Sequence, residues 1–342
     1  MNPSRRNILK LLPVMTMAPF CGAFADETGN SLIRINIPGP RSLPFLPVEM
    51  IPVLGIDRGL NAQLIIRYFP SGVRALEDML AGSAQFSAQG FTVLHSFHKA
   101  GKHVRAIAPL SGLLPPFGIV VRNDLRQQIK SVAGLKGRSI GISVGNITSK
   151  TYMQQIAEVF LRAHGIHLDE VRWVATAQNW EGQFGALSSK SVDAVFCEEP
   201  FMSGLVRRKT GFVLSDFSKH GVMGKVPGTG HLRATLTTTA ENLQQHMHRA
   251  ELMVDMLRQS LAWMAKAGAA EIVSRLDLKD MEEKIELVDV LTKHPGMYSG
   301  DVSFSRRQVE ATAQFMRSAG ILVDDGFDIN TLIVSNIAGA RS

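Results

Sequence analysis

Apolar and polar residues first alternate over Ser31–Pro38, where Ile33, Ile35 and Ile37 take every second place. A period of two predicts a strand, and Pro38, Gly39, Pro40 and Pro44 end it. Val48 to Leu54 predicts a short helix closing near Gly59. Ala62 to Phe69 predicts a second strand, and Val73 to Leu80 a helix opened by Ser71-Gly72. Ala84 to Ala88 is a third strand, followed by Gln89-Gly90 and a helix through Lys99, and His103 to Leu110 is a fourth. Strand, turn and helix alternate with short connections, which predicts βα units on a parallel sheet.

A second set repeats the pattern. Strands are predicted at Phe117 to Val121, Arg138 to Val144, Glu170 to Ala175, Val192 to Cys197 and Phe212 to Ser215. Helices are predicted from Gly145 to about His164, from Trp180 to Leu187, and after Glu198-Glu199-Pro200. The pattern changes again after the Thr-rich strand Leu232 to Thr238. Helical periodicity then covers 241–267, 270–276, 280–292, 305–318 and 328–337. This tail cannot bury its apolar faces alone, so it is expected to pack on the first lobe. The chain should then cross between lobes near 118–124 and 225–235. The expected division is 26–120 for the first part of lobe 1, 121–229 for lobe 2, and 230–342 for the return strand and C-terminal helices.

At 342 residues the chain is long enough for two lobes, each with its own core. Hydrophobic residues at 45% and charged residues at 20% exclude both disorder and a membrane bundle. The N-terminus carries Arg5 and Arg6, then an apolar run from Leu11 to Phe20, then Ala23-Phe24-Ala25. This order predicts an exported protein cleaved after Ala25. The pattern S-R-R-x-x-L-K fits a twin-arginine (Tat) signal, with a Sec signal as the alternative. Cys21 lacks the flanking residues of a lipoprotein anchor. The mature protein is expected to be soluble in the periplasm.

Losing Arg5, Arg6 and Lys10 lowers the net charge from +7 to +4, too mild to indicate nucleic acid. Cys197 is then the only cysteine, so no internal disulfide forms.

Four phrases carry a family likeness. Gly134-Leu135-Lys136-Gly137-Arg138-Ser139-Ile140-Gly141-Ile142 resembles a "DLKGKKIGV" strand entrance, and Ala75 to Gln85 resembles an "ALxxGxxD" turn. Ala186-Leu187 with Lys190 to Val195 repeats that turn, and Glu198-Glu199-Pro200-Phe201 resembles an "EP(Y/F)" helix start. Together, over about residues 31–240, they resemble the sulfonate-, nitrate- and taurine-binding proteins of ABC importers, a group that includes thiamine-precursor binders. The resemblance implies a type II periplasmic-binding-protein fold: two Rossmann-like α/β lobes, two crossovers and a helical tail on lobe 1. It also implies a permease partner in the inner membrane and a monomer. Gln85 and Ser83 depart from the pattern where an acidic or larger polar residue is usual.

In such sheets ligands sit at the carboxyl ends of strands, where helix N-termini present unpaired N–H groups to anions. Gly145, Asn146, Thr148 and Ser149 are the first candidates, with helix capping as the alternative. Ser71, Gly72, Gln89 and Gly90 hold equivalent positions and could equally be turns. Pro44 and Phe45 could wall the cleft or pack a loop. Asn179 and Trp180 could offer a stacking surface or anchor the core. Glu199 could face an amine or hydroxyl or sit at a helix start, while Glu198 is assigned a structural role. Thr229 lies near the second crossover, where hinge duty is the alternative.

Enzyme signatures are poor. His95-x-x-His98 and His246-x-His248 lack a completing ligand and suit solvated helix faces. Cys197 suits an inert core thiol. No G-x-S-x-G, H-E-x-x-H or P-loop sequence occurs, and the cysteine-rich motif of thiamine-precursor synthases is missing. The expectation is a binding protein for a small organic anion of sulfonate, nitrate or carboxylate type, with no catalytic residue, metal or cofactor. A receptor-coupled sensor or an exported enzyme on the same fold stays open as an alternative.

Overall fold

The structure, a computed structural model, describes residues 31–112, 117–219, 221–228, 230–322, 326–335 and 337. The expected signal over 1–25 lies outside them, as does Thr229.

The first lobe comprises β1 (Ser31–Pro38), α1 (Leu46–Val53), α2 (Ile56–Gly59), β2 (Ala62–Phe69), α3 (Gly72–Leu80), β3 (Phe86–Gly90), α4 (Val93–Lys99) and β4 (Val104–Pro109). The second comprises β5 (Phe117–Arg122), β6 (Ser139–Ile142), α5 (Tyr152–Ala163), β7 (Arg172–Ala175), α6 (Trp180–Ser188), β8 (Ala194–Glu198), α7 (Phe201–Arg207) and β9 (Gly211–Asp216). The chain then continues as β10 (Ala234–Thr239), α8 (Ala240–Lys266), α9 (Ala269–Arg275), α10 (Met281–Lys293) and α11 (Arg306–Ser318).

Two sheets result, ordered β2-β1-β3-β10-β4 and β7-β6-β8-β5-β9. In the first, β1 runs parallel to β2 and β3, while β10 is antiparallel to β3 and β4. In the second, β6 runs parallel to β7 and β8, while β5 is antiparallel to β8 and β9. The antiparallel strand in each sheet is the one that arrives from the other lobe. The lobes are therefore tied by two passages, one between Pro109 and Phe117 and one between Asp216 and Ala234.

Alternation builds β1 as expected: Ile33, Ile35 and Ile37 are fully buried on one face. The opposite face is covered too. Asn36 is buried against α3 and donates from Nδ2 to Asp78 Oδ2 at 3.0 Å and to the Ala75 carbonyl at 3.3 Å. A strand buried on both faces needs such bonds for every polar side chain.

The tail does more than cover lobe 1. Met253, Val254, Leu257 and Leu261 of α8 pack into the first-sheet core, and Leu287, Val290 and Leu291 of α10 pack on Leu43, Leu46 and Met50. In α11, Val309 and Met316 join the lobe-1 core, whereas Phe315 enters the lobe-2 core beside Tyr152. One helix thus spans both lobes on the side of the second passage. The helix expected over 328–337 is only a 3-10 turn, Ile329–Leu332; Ile333 instead bridges to Ala106 on β4, so edge pairing wins over helical periodicity.

Candidate functional site

Between the sheets lies a cavity whose walls include Pro44, Phe45, Gly72 and Gly90 from lobe 1 and Phe117, Tyr152 and Gln178 from lobe 2. Arg233, one residue before β10, enters it from the second passage.

Arg233 is 3% exposed and Glu198, at the end of β8, is 1% exposed. Arg233 Nη2 donates to Glu198 Oε2 at 3.0 Å. The guanidinium lies over the Phe117 ring, 4.0 Å from its centroid, with the Tyr152 ring at 5.6 Å. These faces suit a cation that has lost its water. Among the described residues Arg233 Nε and Nη1 have no hydrogen-bond partner. Burial pulls the guanidinium down to about 10, with Glu198 opposing the shift, so it stays cationic at neutral pH.

Glu198 is fixed by neutral donors as well. Its Oε1 accepts from Ser42 Oγ of lobe 1 and from Gln178 Nε2 at 3.1 Å. Burial pushes its carboxyl above the ordinary range, against the pull of Arg233 and these two donors. The Ser42, Glu198 and Arg233 contacts therefore stitch the lobes together inside the cleft.

A second polar pair braces the wall. The Gly228 carbonyl can only accept, so His231 Nδ1 carries the proton and donates to it at 2.8 Å. His231 Nε2 is then bare and accepts from the Tyr152 hydroxyl at 2.8 Å. Burial pulls His231 down to about 4, so the ring is neutral at pH 7. It stacks on Phe315 with centroids 4.0 Å apart.

Contacts at the rim also join the lobes. Thr92 Oγ1 donates to Gln155 Oε1, and the Ser96 and Ser149 hydroxyls share a bond of 2.8 Å. On the opposite side Glu286 of α10, with 5% side-chain exposure, meets Arg207 at 3.1 Å and Arg208 at 3.0 Å.

Residues 57–268, well over half of the sequence, match the family described as NMT1/THI5-like. The chain belongs to that family. No curated protein shows a significant sequence match. A protein of Bordetella bronchiseptica RB50 is similar in structure, with a TM-score of 0.78, 20% identity, and coverage of 90% of this chain and 96% of the other. The alkanesulfonate-binding protein SsuA from Xanthomonas axonopodis pv. citri, solved with MOPS, gives 0.66, 16%, 89% and 98%. The ligand-binding component of an ABC-type import system from Staphylococcus aureus, solved with zinc, gives 0.65, 14%, 92% and 99%. The fold is that of the periplasmic binding proteins.

In this NMT1/THI5-like chain the residues expected at the site are dispersed. Pro44, Phe45, Gly72 and Gly90 line the cavity. Ser71 is buried as the N-cap of α3 and accepts from the Arg74 N–H. Gln89 is fully buried, and its amide is used by Ser87 and Thr237 within the sheet.

The helix expected to open at Gly145 begins seven residues later, at Tyr152. Thr151 caps α5 in a capping box with Gln154. Gly145 to Lys150 is a loop closed on itself: Asn146 Oδ1 accepts from the Thr148 and Ser149 N–H groups and from Thr148 Oγ1. Asn146 Nδ2 donates to Glu77. Gly145, Asn146, Thr148 and Ser149 therefore form a rim contact with lobe 1 rather than a helix-tip anion site.

Asn179 caps α6, accepting from the Gly182 N–H at 2.8 Å. Trp180 stacks on Phe184 and lies under Arg208, lining a separate pocket with Phe201 and Glu283. Glu199 accepts from the Ser203 N–H and hydroxyl, which makes it the structural carboxylate, and burial pushes its carboxyl up. Its neighbour Glu198, assigned a structural role from sequence, is the carboxylate paired with the cavity-lining Arg233.

Arg233, Gln178 and Tyr152 were missed, whereas His231 lies at the second crossover, where ligand contact or hinge duty was expected. Only Thr151-x-x-Gln154 carried a readable signal, since that spacing marks a helix N-terminus and puts Tyr152 in its first turn. His95 and His98 pack edge-on around Phe327. Among the described residues no group of His, Cys, Asp or Glu could hold a metal ion, and no helix is long and apolar enough to cross a membrane.

Proposed function

We propose that the protein is the solute-binding component of an ABC importer, taking a small organic anion between its lobes and presenting it to an inner-membrane permease. The observation that carries this is Arg233: a buried cation in the interlobe cavity with two guanidinium nitrogens unpaired among the described residues. Leaving buried donors of a charged group unmet is costly, so an acceptor with oxygens to offer binds there favourably. The aromatic faces of Phe117 and Tyr152 suit an organic body on that acid group. Sulfonate fits first, with nitrate and carboxylates behind it; the alkanesulfonate binding of the Xanthomonas relative supports that order. The cargo enters between parted lobes, and closure is driven by contacts it makes with both. The Arg5-Arg6 pair and Ala23-Phe24-Ala25 support Tat export of a monomer that works in the periplasm.

A thermal-shift screen of sulfonates, nitrate, carboxylates and pyrimidines tests this, because a ligand of the folded state raises Tm. An organic sulfonate or carboxylate should raise Tm in the wild type. It should raise it much less in the double variant Arg233→Met, Glu198→Gln, which removes both buried charges together and avoids stranding one. An unchanged response in that folded variant refutes Arg233 as the anchor.

A further inference from the structure

We propose that the cavity takes cargo without changing its own net charge, so that a simple anion enters together with one proton, held by Glu198, whereas a zwitterion enters without one. Resting on the assignment of the cavity as a solute site, the proposal concerns what Glu198 does when cargo arrives.

The geometry sets a charge balance. Before cargo enters, Arg233 and Glu198 neutralise each other across 3.0 Å, and both are buried. Ser42 and Gln178 hold the carboxylate in place and are themselves uncharged. An anion bound to Arg233 Nε or Nη1 shares the same guanidinium with Glu198. Two negative groups about 5 Å apart in a partly dry site raise a carboxyl's affinity for a proton on the order of a hundredfold.

No other group facing Glu198 can absorb that charge. Tyr152 from α5 and Tyr298 from the segment before α11 are neutral phenols that burial pushes further up. His231 beside the second passage is neutral, held near 4 by burial and already bonded through both nitrogens. Glu49 of α1, beyond Tyr298, and the flanking Cys197 and Glu199 are all pushed up by burial, and none brings a positive charge. Glu198 is thus the place where a proton, or the ammonium of a zwitterionic cargo, restores balance.

The test is calorimetric titration at pH 7 in bis-Tris and in Tris, neither of which is an anion. The probes are nitrate, ethanesulfonate and benzoate as simple anions, with 2-aminoethanesulfonate as the zwitterion. The difference in heat between the buffers counts protons taken up. The tightest simple anion should take up a measurable fraction of a proton, and its Kd should rise with pH, approaching tenfold per pH unit only between the free and bound pKa of Glu198. The aminosulfonate should take up almost none. Glu198→Gln should abolish both the uptake and the pH dependence for the simple anion, and weaken the aminosulfonate at least tenfold. The wild-type pH slope alone tests the idea if that variant does not fold. Simple-anion binding with no proton uptake, or uptake that survives Glu198→Gln, overturns the proposal and leaves the solute-binding assignment standing. Failure of all four probes to bind overturns the anion site and this proposal together.

Discussion

Closure of the lobes can be blocked at one atom on the cavity wall. Gly90 ends β3 on the cavity wall, and its backbone is in an ordinary conformation. A Cβ added there would lie 2.4 Å from Tyr152 Cβ and 3.1 Å from Tyr152 Cγ. Carbon atoms at rest sit at about 3.5 Å or more, so the lobes must part by about 1 Å at this point. Tyr152 opens α5 in the other lobe, so Gly90→Ala acts between lobes. Parting them there loosens the nearby Thr92–Gln155 and Ser96–Ser149 hydrogen bonds. At about 1 kcal/mol each, the closed form loses about 2 kcal/mol, or roughly thirtyfold in ligand affinity. Calorimetry with the best anion should read that loss, and small-angle scattering should show a smaller contraction on ligand addition. The Tm without ligand should stay within a few degrees of wild type, as it should for Gly185→Ala, where an added Cβ meets nothing within 4 Å. Gly90→Ala binding as tightly as wild type refutes interlobe closure at this contact.

Two other outcomes follow from the wall behind the site. Burial holds folded His231 at about 4, below the ordinary imidazole value of about 6.5, so the unfolded chain binds its proton first. The stability it supports is full above 6.5 and is lost as pH falls through 4, an amount of about 3 kcal/mol. Urea melts at pH 7 and pH 4.5 should show a smaller acid loss in His231→Gln than in wild type; an equal loss excludes His231 as the acid-sensitive group. Phe315 is fully buried between the lobes, and Phe315→Ala should cost about 3–5 kcal/mol, read as a fall in Tm; a loss under about 1 kcal/mol contradicts its place in the core.

The legibility of the chain follows the range of the forces involved. Ser31–Pro38 and Ala62–Phe69 were predicted with the observed bounds, because the Ile–polar alternation of the first and the β-branched and aromatic run of the second are local signals. The start of α5 was misplaced because Gly145 and Asn146 imitate a helix entrance, whereas the loop spends its N–H groups on Asn146 Oδ1 and the true cap is Thr151. Residues 328–337 lost their helix to pairing with β4, a contact more than two hundred residues away in sequence. The site was least legible for the same reason. Glu198 and Arg233 look like an ordinary strand end and an ordinary strand start, and only the fold brings them within 3.0 Å. Distinguishing Glu198 from Glu199 required their tertiary partners: Glu198 meets Arg233, whereas Glu199 meets Ser203.

The central claim is that a solute is gripped between the lobes at Arg233 and left chemically unchanged. A crystal structure with the tightest ligand from the screen tests it most directly. The account predicts an intact molecule between the sheets, its acid oxygens within hydrogen-bond distance of Arg233 Nε or Nη1 and its body against Phe117 and Tyr152. A ligand bound outside this cleft, or a transformed product in its place, would contradict it.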